Sequence, residues 1–440
     1  MTRFCKLFFT GTVFLLLMSF SAFPQDAATT AKIKYHTEKV KNYLDKNNAL
    51  LPYYAINTDG ISIYASAQNK LKNIPEFHLN WDQVAAFNVF LKTSNSATAL
   101  EVYRSGKFVG TFSTSKNSPS TMVNQIFIPE TKLLKGYKIA IDAGHTAGDM
   151  ETGGIEQKCL KFNCDSLKGL KSPIAISEGM LTFATATLLK KKLEAEGAEV
   201  FMTRKFDGGS AFGVPFETWL KKKHIDSLFA AGVITSKQKN ILLNPKTSKR
   251  DKFRFVFKDL ELQKRAEIIN NFHPDLTIII HYNVDETNTG WTKPANKNFN
   301  MTFVGGAFMK NDLSSPEKRF EFLRLLVSED LERSIALSSA MVKSFEKNLN
   351  VKTATYSDAK YLIQGCLSTN EIGVYCRNLQ LTRYVHGPLV YGETLYQDNI
   401  NECVLLNKEC DKTKNERVQQ VAESYFQGIL NYTKEKMELR

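Results

Sequence analysis

The spacing of apolar positions changes character near residue 136. Between Gly60 and Pro129, apolar and polar residues alternate in short runs: "GISIYAS", "EFHLNW", "ALEVYRS", "KFVGTF" and "NQIFIP". Each run is bounded by Gly, Asn, Ser or Pro, so this part predicts a small β-rich module. Ahead of it, residues 26–60 are polar, with an amphipathic stretch at Lys32 to Leu51 that predicts a helix. From Gly136 onward, compact apolar runs alternate with longer segments of helical spacing. "YKIAIDAGH" predicts a strand, and the helix after it runs from Ser177, an N-cap, to a stop at Gly197. Leu181, Ala184, Leu188 and Leu189 recur along that helix at the period of one face. Strand "EVFMTR", helix "LELQKRAEIINNF" and strands "DLTIIIHYN" and "NMTFVGGAF" follow. A helical region at Pro316 to Asn348, strand "PLVYGE" and a closing helix from Glu416 to about Lys434 complete the series. Strands alternating with helices predict a layered α/β domain, a sheet flanked by helices. The expected division is 26–135 for the β-rich module and 136–440 for the α/β domain. Insertions near 208–258 and 286–330 interrupt the latter and are placed to form the rim of a site or to lie as solvated surface.

Met1 to Lys6 carries Arg3 and Lys6, and Leu7 to Phe20 is almost wholly apolar. Small residues and Pro24 follow, so residues 1–25 read as a secretory signal. The apolar stretch is shorter than the ~20 residues a membrane span needs. The expectation is export to the periplasm, the cell envelope or beyond, with no transmembrane anchor once the signal is removed. At 43% hydrophobic and 23% charged residues the composition is globular, which excludes a collagen-like or wholly disordered chain. Lys and Arg outnumber Asp and Glu by 58 to 45. That excess suits an acidic polymer, but with export and no recognisable nucleic-acid motif, nucleic acid is excluded.

Export gives the cysteines a redox meaning. Outside the signal there are six: Cys159, Cys164, Cys366, Cys376, Cys403 and Cys410. An even set in an oxidising compartment predicts disulfides. Cys159/Cys164 and Cys403/Cys410 are near enough in sequence to pair, which leaves Cys366 with Cys376. A cysteine zinc site is the alternative, though no Cys-x-x-Cys pair is present.

The candidate chemistry gathers at strand ends, where ligands collect in α/β sheets. His145 follows one strand, His281 lies near the end of another, and Glu178 opens the helix between them. Two imidazoles and a carboxylate suit catalytic zinc, leaving a position for water. A second carboxylate, Glu393 at the end of "PLVYGE", is placed to move a proton. Each has an ordinary reading too: a hydrogen-bonded histidine, a carboxylate on a helix dipole, a solvated strand end.

Order and context make the set specific. Asp142-Ala143-Gly144-His145, Asp149 and Gly153-Gly154 open the series, and Glu178 leads to Gly197, Val200, Thr203-Arg204 and Asp207. Arg265, Asn270 and "IIHYN" at 279–283 follow, then "SIALSSAMVKSF", "GVYCRNLQLTR", Pro388 to Glu393 and "QQVAESYFQGILNY". From Lys138 to Tyr432 the chain resembles the zinc-dependent N-acetylmuramoyl-L-alanine amidases of the Amidase_3 family. The resemblance implies a mixed sheet flanked by helices, with zinc on His145, Glu178 and His281 and Glu393 as catalytic acid/base. It implies hydrolysis of the amide between N-acetylmuramic acid and L-alanine in peptidoglycan. Asp149, Asn283, Arg265 and His386 are the candidates for contact with substrate. Departures are Ala143 for the usual Pro, Thr146-Ala147 for a Gly pair, Tyr282 where Ala is common and Thr394 after the last Glu. Some relatives carry a helix that blocks the zinc after the second His strand. Residues 286–330 match it in position, with Glu317, Glu321, Glu329 or Glu332 to reach the metal; an exposed amphipathic helix is the alternative. An activator protein is a further candidate partner. A non-catalytic peptidoglycan- or division-complex-binding relative, and a zinc peptidase acting on the stem peptide, are the competing functions.

Overall fold

The computed structural model describes residues 27–94, 96–105, 132–163 and 173–438. The signal expected at 1–25, the runs "KFVGTF" and "NQIFIP", and Cys164 lie outside the described residues. Among the described residues no helix is long and apolar enough to cross a membrane.

A seven-stranded mixed sheet organises the larger part. Its strands are β4 (Lys138–Ala143), β7 (Glu199–Met202), β8 (Leu276–Asn283), β9 (Met301–Val304), β10 (Cys366–Ser368), β11 (Val374–Arg377) and β12 (Leu389–Tyr396), in the order β10-β11-β9-β12-β8-β4-β7. β12, β8, β4 and β7 run parallel, so their carboxyl ends share one edge. β9 runs antiparallel to β12. Alternation gives the sheet two different faces. Ile139, Ile141, Ile278, Ile280 and Val390 point to one, packed under the helices Glu178–Ala195, Asp330–Leu349 and Glu416–Glu438. Ala140, Ile279 and Leu389 point to the other, under the helix Lys258–Phe272 and the short helix Gln380–Tyr384.

Three more strands, β1 (Tyr54–Ile56), β2 (Gly60–Ile63) and β3 (Phe77–Asn80), form the small antiparallel sheet expected near the N-terminus. "ALEVYRS" is the exception there. It lies mostly in the helix Ser96–Arg104, whose Ala99 and Leu100 are buried with Phe87 and Phe90 of the preceding helix. The stretch expected as one helix at Lys32 to Leu51 breaks after Lys39 into short π and 3₁₀ turns.

The N-terminal part packs on the β9/β11 side, sharing one apolar cluster with Val304, Phe308, Val374 and Cys376. The helix Pro316–Val327 lies within that cluster, and its residues 319–327 are all buried. It is therefore neither an exposed amphipathic helix nor a cover over the site. Lys39 ties it down by donating to the Ser328 carbonyl at 2.7 Å and pairing with Glu332 at 2.8 Å. The insertion at 208–258 is likewise not loose decoration. It has its own core of Phe216, Trp219, Ile225, Leu242, Phe253 and Phe257, with Phe216 and Phe257 rings 4.7 Å apart. Burial is worth about 1.5–3 kcal/mol for each such large apolar side chain, which favours the ordered segment.

The expected disulfides do not form among the described residues, where Cys159, Cys366, Cys376 and Cys410 are free thiols. Sheet register explains the central pair. Leu367, not Cys366, sits opposite Cys376 on the antiparallel strands β10 and β11. Cys366 and Cys376 therefore point to opposite faces and enter different apolar clusters. Cys403 is buried in the main core while Cys410 is exposed.

Candidate metal centre

The site is assembled at the carboxyl edge of β4 and β8. β4 ends at Ala143, and the chain turns sharply through Gly144 and His145, whose φ is +63°. A Cβ at Gly144 would come within 2.3 Å of the His281 imidazole, so only glycine fits between the two histidines. The turn is held from behind by two buried arginines. Arg265 donates to the carbonyls of Ala143 at 2.7 Å and His145 at 2.6 Å, and pairs with Asp142 and Glu261. Arg204 donates to the carbonyls of Ala143 and Gly179. Thr203 donates to Asp142 at 2.5 Å. The Thr203-Arg204 dipeptide thus acts on the loop that carries His145. Arg265 is 1% exposed and serves that loop, so its placement corrects the expectation that it contacts substrate.

Glu178 arrives from the other layer, at the first turn of its helix. β5 (Cys159–Phe162) and β6 (Ile174–Ser177) form a hairpin that leads into it. The helix Met150–Glu156 and this hairpin occupy the chain between His145 and Glu178. Glu178 Oε2 lies 3.1 Å from His145 Nε2, and Oε1 lies 3.0 Å from His281 Nδ1. The backbone N–H of Tyr282 donates to Oε1 at 3.2 Å. One ligand atom from each of His145, Glu178 and His281 falls within 4.8 Å of the others. His145 Nε2 and Glu178 Oε2 are both buried and neither has a hydrogen-bond partner among the described residues. Two buried nitrogens and a carboxylate oxygen aimed at one point fit a divalent cation with borderline-soft preferences.

Burial opposes ionisation of Glu178, but His145 and Lys158 outweigh it and hold its pKa well below the usual carboxylate range. Burial lowers the pKa of His281 to about 4, which keeps the ring neutral, as a ligand must be. His281 stacks on Tyr391 with centroids 4.5 Å apart and planes 5° from parallel. Glu393 stands directly across from His281 on β12. Its burial, followed by the charge of Glu178, pushes its pKa up to about 8. All of these line an open pocket of about 410 Å³ with Lys158, Asn283, Trp291 and Arg377.

Four further expectations are now placed. Asn283 reaches the pocket, where its side chain donates to the Tyr361 hydroxyl at 2.9 Å. Asp149 caps the helix Met150–Glu156, accepting from the Thr152 N–H at 2.7 Å. His386 is a correction: it precedes β12 at the end opposite Glu393 and contacts Glu321 at 3.2 Å. None of Glu317, Glu321, Glu329 or Glu332 lines the pocket. The Tyr282 hydroxyl is hydrogen-bonded to Thr185 and the Thr394 hydroxyl donates to the His281 carbonyl, both in the buried interior.

A sequence model of Amidase_3, described as N-acetylmuramoyl-L-alanine amidase, matches residues 139–431. The chain belongs to this family. It is accordingly a hydrolase of peptidoglycan with N-acetylmuramoyl-L-alanine amidase activity. Among solved structures it is similar to the CwlD amidase of Clostridioides difficile in complex with the GerS lipoprotein, at 18% identity over 67% of this chain and 98% of that one, with a TM-score of 0.38. It is also similar to the apo form of the amidase Ami1 of Mycobacterium abscessus, at 17% identity over 68% and 99%, with a TM-score of 0.36. No curated protein matches the sequence. Sequence reasoning within the family motif missed Glu156, Lys158, Trp291, Tyr391 and Arg377. Glu156 lies 3.4 Å from His145 Nδ1 and accepts from the Thr146 N–H at 2.8 Å. It lies outside every motif segment that carried the resemblance, so nothing in the sequence marked it.

Proposed function

We propose that this amidase is zinc-dependent, with the metal held by His145, Glu178 and His281, and that Glu393 is its catalytic acid/base. The observation that carries the reading is the convergence of three donors within 4.8 Å, two of them with buried atoms left without hydrogen bonds. When bound, zinc supplies Lewis acidity beside the amide carbonyl and lowers the pKa of a water molecule. Glu393 takes the proton of the attacking water and passes it to the departing L-alanine nitrogen. A carboxyl raised towards neutral pH suits both transfers. Tyr391 keeps the His281 ring in plane, and Arg265 and Arg204 hold the His145 loop rigid. Glu156 fixes the far side of the His145 ring, which sets the nitrogen presented to the metal.

Export to the periplasm or cell envelope belongs to the same reading, supported by the basic start and apolar run of residues 1–25. An activator protein is part of it only if the isolated chain proves inactive. Digestion of purified peptidoglycan, with and without a chelator and with products weighed by mass spectrometry, tests the proposal. The expected result is chelator-sensitive release of intact stem peptides with a free L-alanine amine. Glu393→Gln should keep the metal and lose about 10²–10⁴-fold in rate. Shortened peptides would instead show a peptidase, and loss of metal from Glu393→Gln would remove that residue from its assigned role.

A further inference from the structure

One cation of the pocket, Arg377, forms no ion pair among the described residues. Arg377 ends β11, and the registers place it on the face that carries the chemistry. Tyr375 of β11 lies beside Phe303 of β9, Phe303 lies opposite Tyr391 of β12, and Glu393 is two residues beyond Tyr391. Side chains two apart share a face, so Arg377 and Glu393 rise from the same side of the sheet. Both line the pocket with His145, Glu178 and His281.

Other buried arginines are engaged with acceptors: Arg265 with Asp142, Arg319 with Glu76, Arg324 with Glu321 and Asp330, Arg417 with Glu402, and Arg204 with the Ala143 and Gly179 carbonyls. The Arg377 guanidinium has no ion-pair or hydrogen-bond partner among the described residues. It lies 4.9 Å from the ring centroids of both Phe303 and Tyr361, which fix it as a preformed fork. Of the acidic residues that line the pocket, Glu393 feels the Arg377 charge without a direct ion pair, and the others are engaged elsewhere. Glu286 is 2.9 Å from Lys297 and Asp285 3.9 Å from the same amine, while Glu178 belongs to the metal centre. A planar guanidinium held this way matches a carboxylate through two parallel N–H bonds.

The chemistry of the substrate says which carboxylate. In the muramyl amide the sugar's own carboxyl group is consumed in the bond to be cut, so the free carboxylates lie on the peptide side. We propose that Arg377 binds a free carboxylate of the stem peptide, so that the peptide extends toward β11 and the enzyme prefers stems whose carboxylates are not amidated. The inference rests on the amidase activity and adds to it an orientation and a specificity.

The test uses zinc-loaded full-length enzyme and two muramyl peptides that differ only in having free or amidated stem carboxylates. In the wild type, amidation should raise KM by about 10- to 100-fold, the range of a charge-assisted pair, with little change in kcat. Arg377→Gln should raise KM for the free acid to the same degree and no longer distinguish the two substrates. Arg377→Lys should restore part of the preference. Equal KM values in the wild type, or an Arg377→Gln enzyme that loses both substrates equally, overturn the inference and leave the amidase intact. Direct binding of the same two ligands to Glu393→Gln separates the remaining case. If the wild type cleaves neither muramyl peptide, the amidase reading fails, and equal binding of both ligands then overturns the carboxylate site as well.

Discussion

Two histidine–carboxylate clusters are buried at opposite ends of the same strands, and they are built to different ends. At the carboxyl edge, His145 and His281 face Glu178, and two of the converging atoms have no hydrogen bond. At the other edge, His386 faces Glu321, but Arg324 stands between two carboxylates, 2.6 Å from Glu321 and 2.6 Å from Asp330. Arg324 also donates to the Arg383 carbonyl at 2.8 Å. Burial disfavours the charge on Glu321, yet His386 and Arg324 outweigh it and keep its pKa below the usual range. Residue types are nearly the same in the two clusters. What differs is how closely a cation sits among the carboxylates: Arg324 lies 2.6 Å from both Glu321 and Asp330, whereas Lys158 stands 3.8 Å from Glu178. Where the cation is in direct contact the cluster is structural; where converging donors are left without hydrogen bonds, the cluster could hold a metal.

The sharpest way to break this contrast is to remove a carboxylate from the first cluster. Glu178→Gln should abolish stoichiometric metal binding and lower amidase activity by at least about 10³-fold, while circular dichroism stays unchanged. Metal content by mass spectrometry and single-turnover rates check it, and retention of a full metal equivalent would end the assignment. In the second cluster the loss should appear in folding. Arg324→Met leaves Glu321 and Asp330 buried without their cation, which costs about 3–5 kcal/mol by denaturant titration. Metal affinity of the folded fraction should not move.

Smaller changes sharpen the comparison. Glu156→Gln keeps the shape beside His145 but weakens its hold on the ring, and should lower metal affinity by about 10–100-fold in a competition titration. A further difference is in the pH dependence of the metal-free protein. Glu393 has a folded pKa of about 8 against an ordinary value of 4.5, so folding takes up a proton between those limits. Its contribution to stability is therefore full below about pH 4.5 and lost as pH rises towards 8. Glu393→Gln should remove that part of the slope, measured as the difference from the wild type, and added zinc should shrink it by offsetting the Glu178 charge.

Much of the frame was legible because local signals and burial agreed. The helix from Glu178 shows its apolar period and its Gly197 stop in the sequence, and both are present in the fold. The strands bearing His281 and Glu393 are short, apolar and bounded, as buried parallel strands are. Two misplacements came from packing partners outside the segment itself. "ALEVYRS" alternates like a strand, but the burial of Ala99 and Leu100 beside Phe87 and Phe90 favours the helix. The helix Pro316–Val327 looks amphipathic and exposed until the N-terminal part covers its remaining face.

By itself the sequence determined the family, the α/β frame and the four residues of the proposed chemistry, because each is carried by a residue type in a fixed local pattern. Only the tertiary structure decided how those residues meet and which neighbours serve them. Arg265 proved to be a clamp and Asp149 a helix cap. His386 lies at the wrong end of its strand, and Cys366 and Cys376 point apart by one step of register. Arg377 entered the pocket from a strand almost a hundred residues beyond His281 in the chain. Such facts depend on strand order and on which face a side chain occupies, and these are set by contacts between segments far apart in sequence.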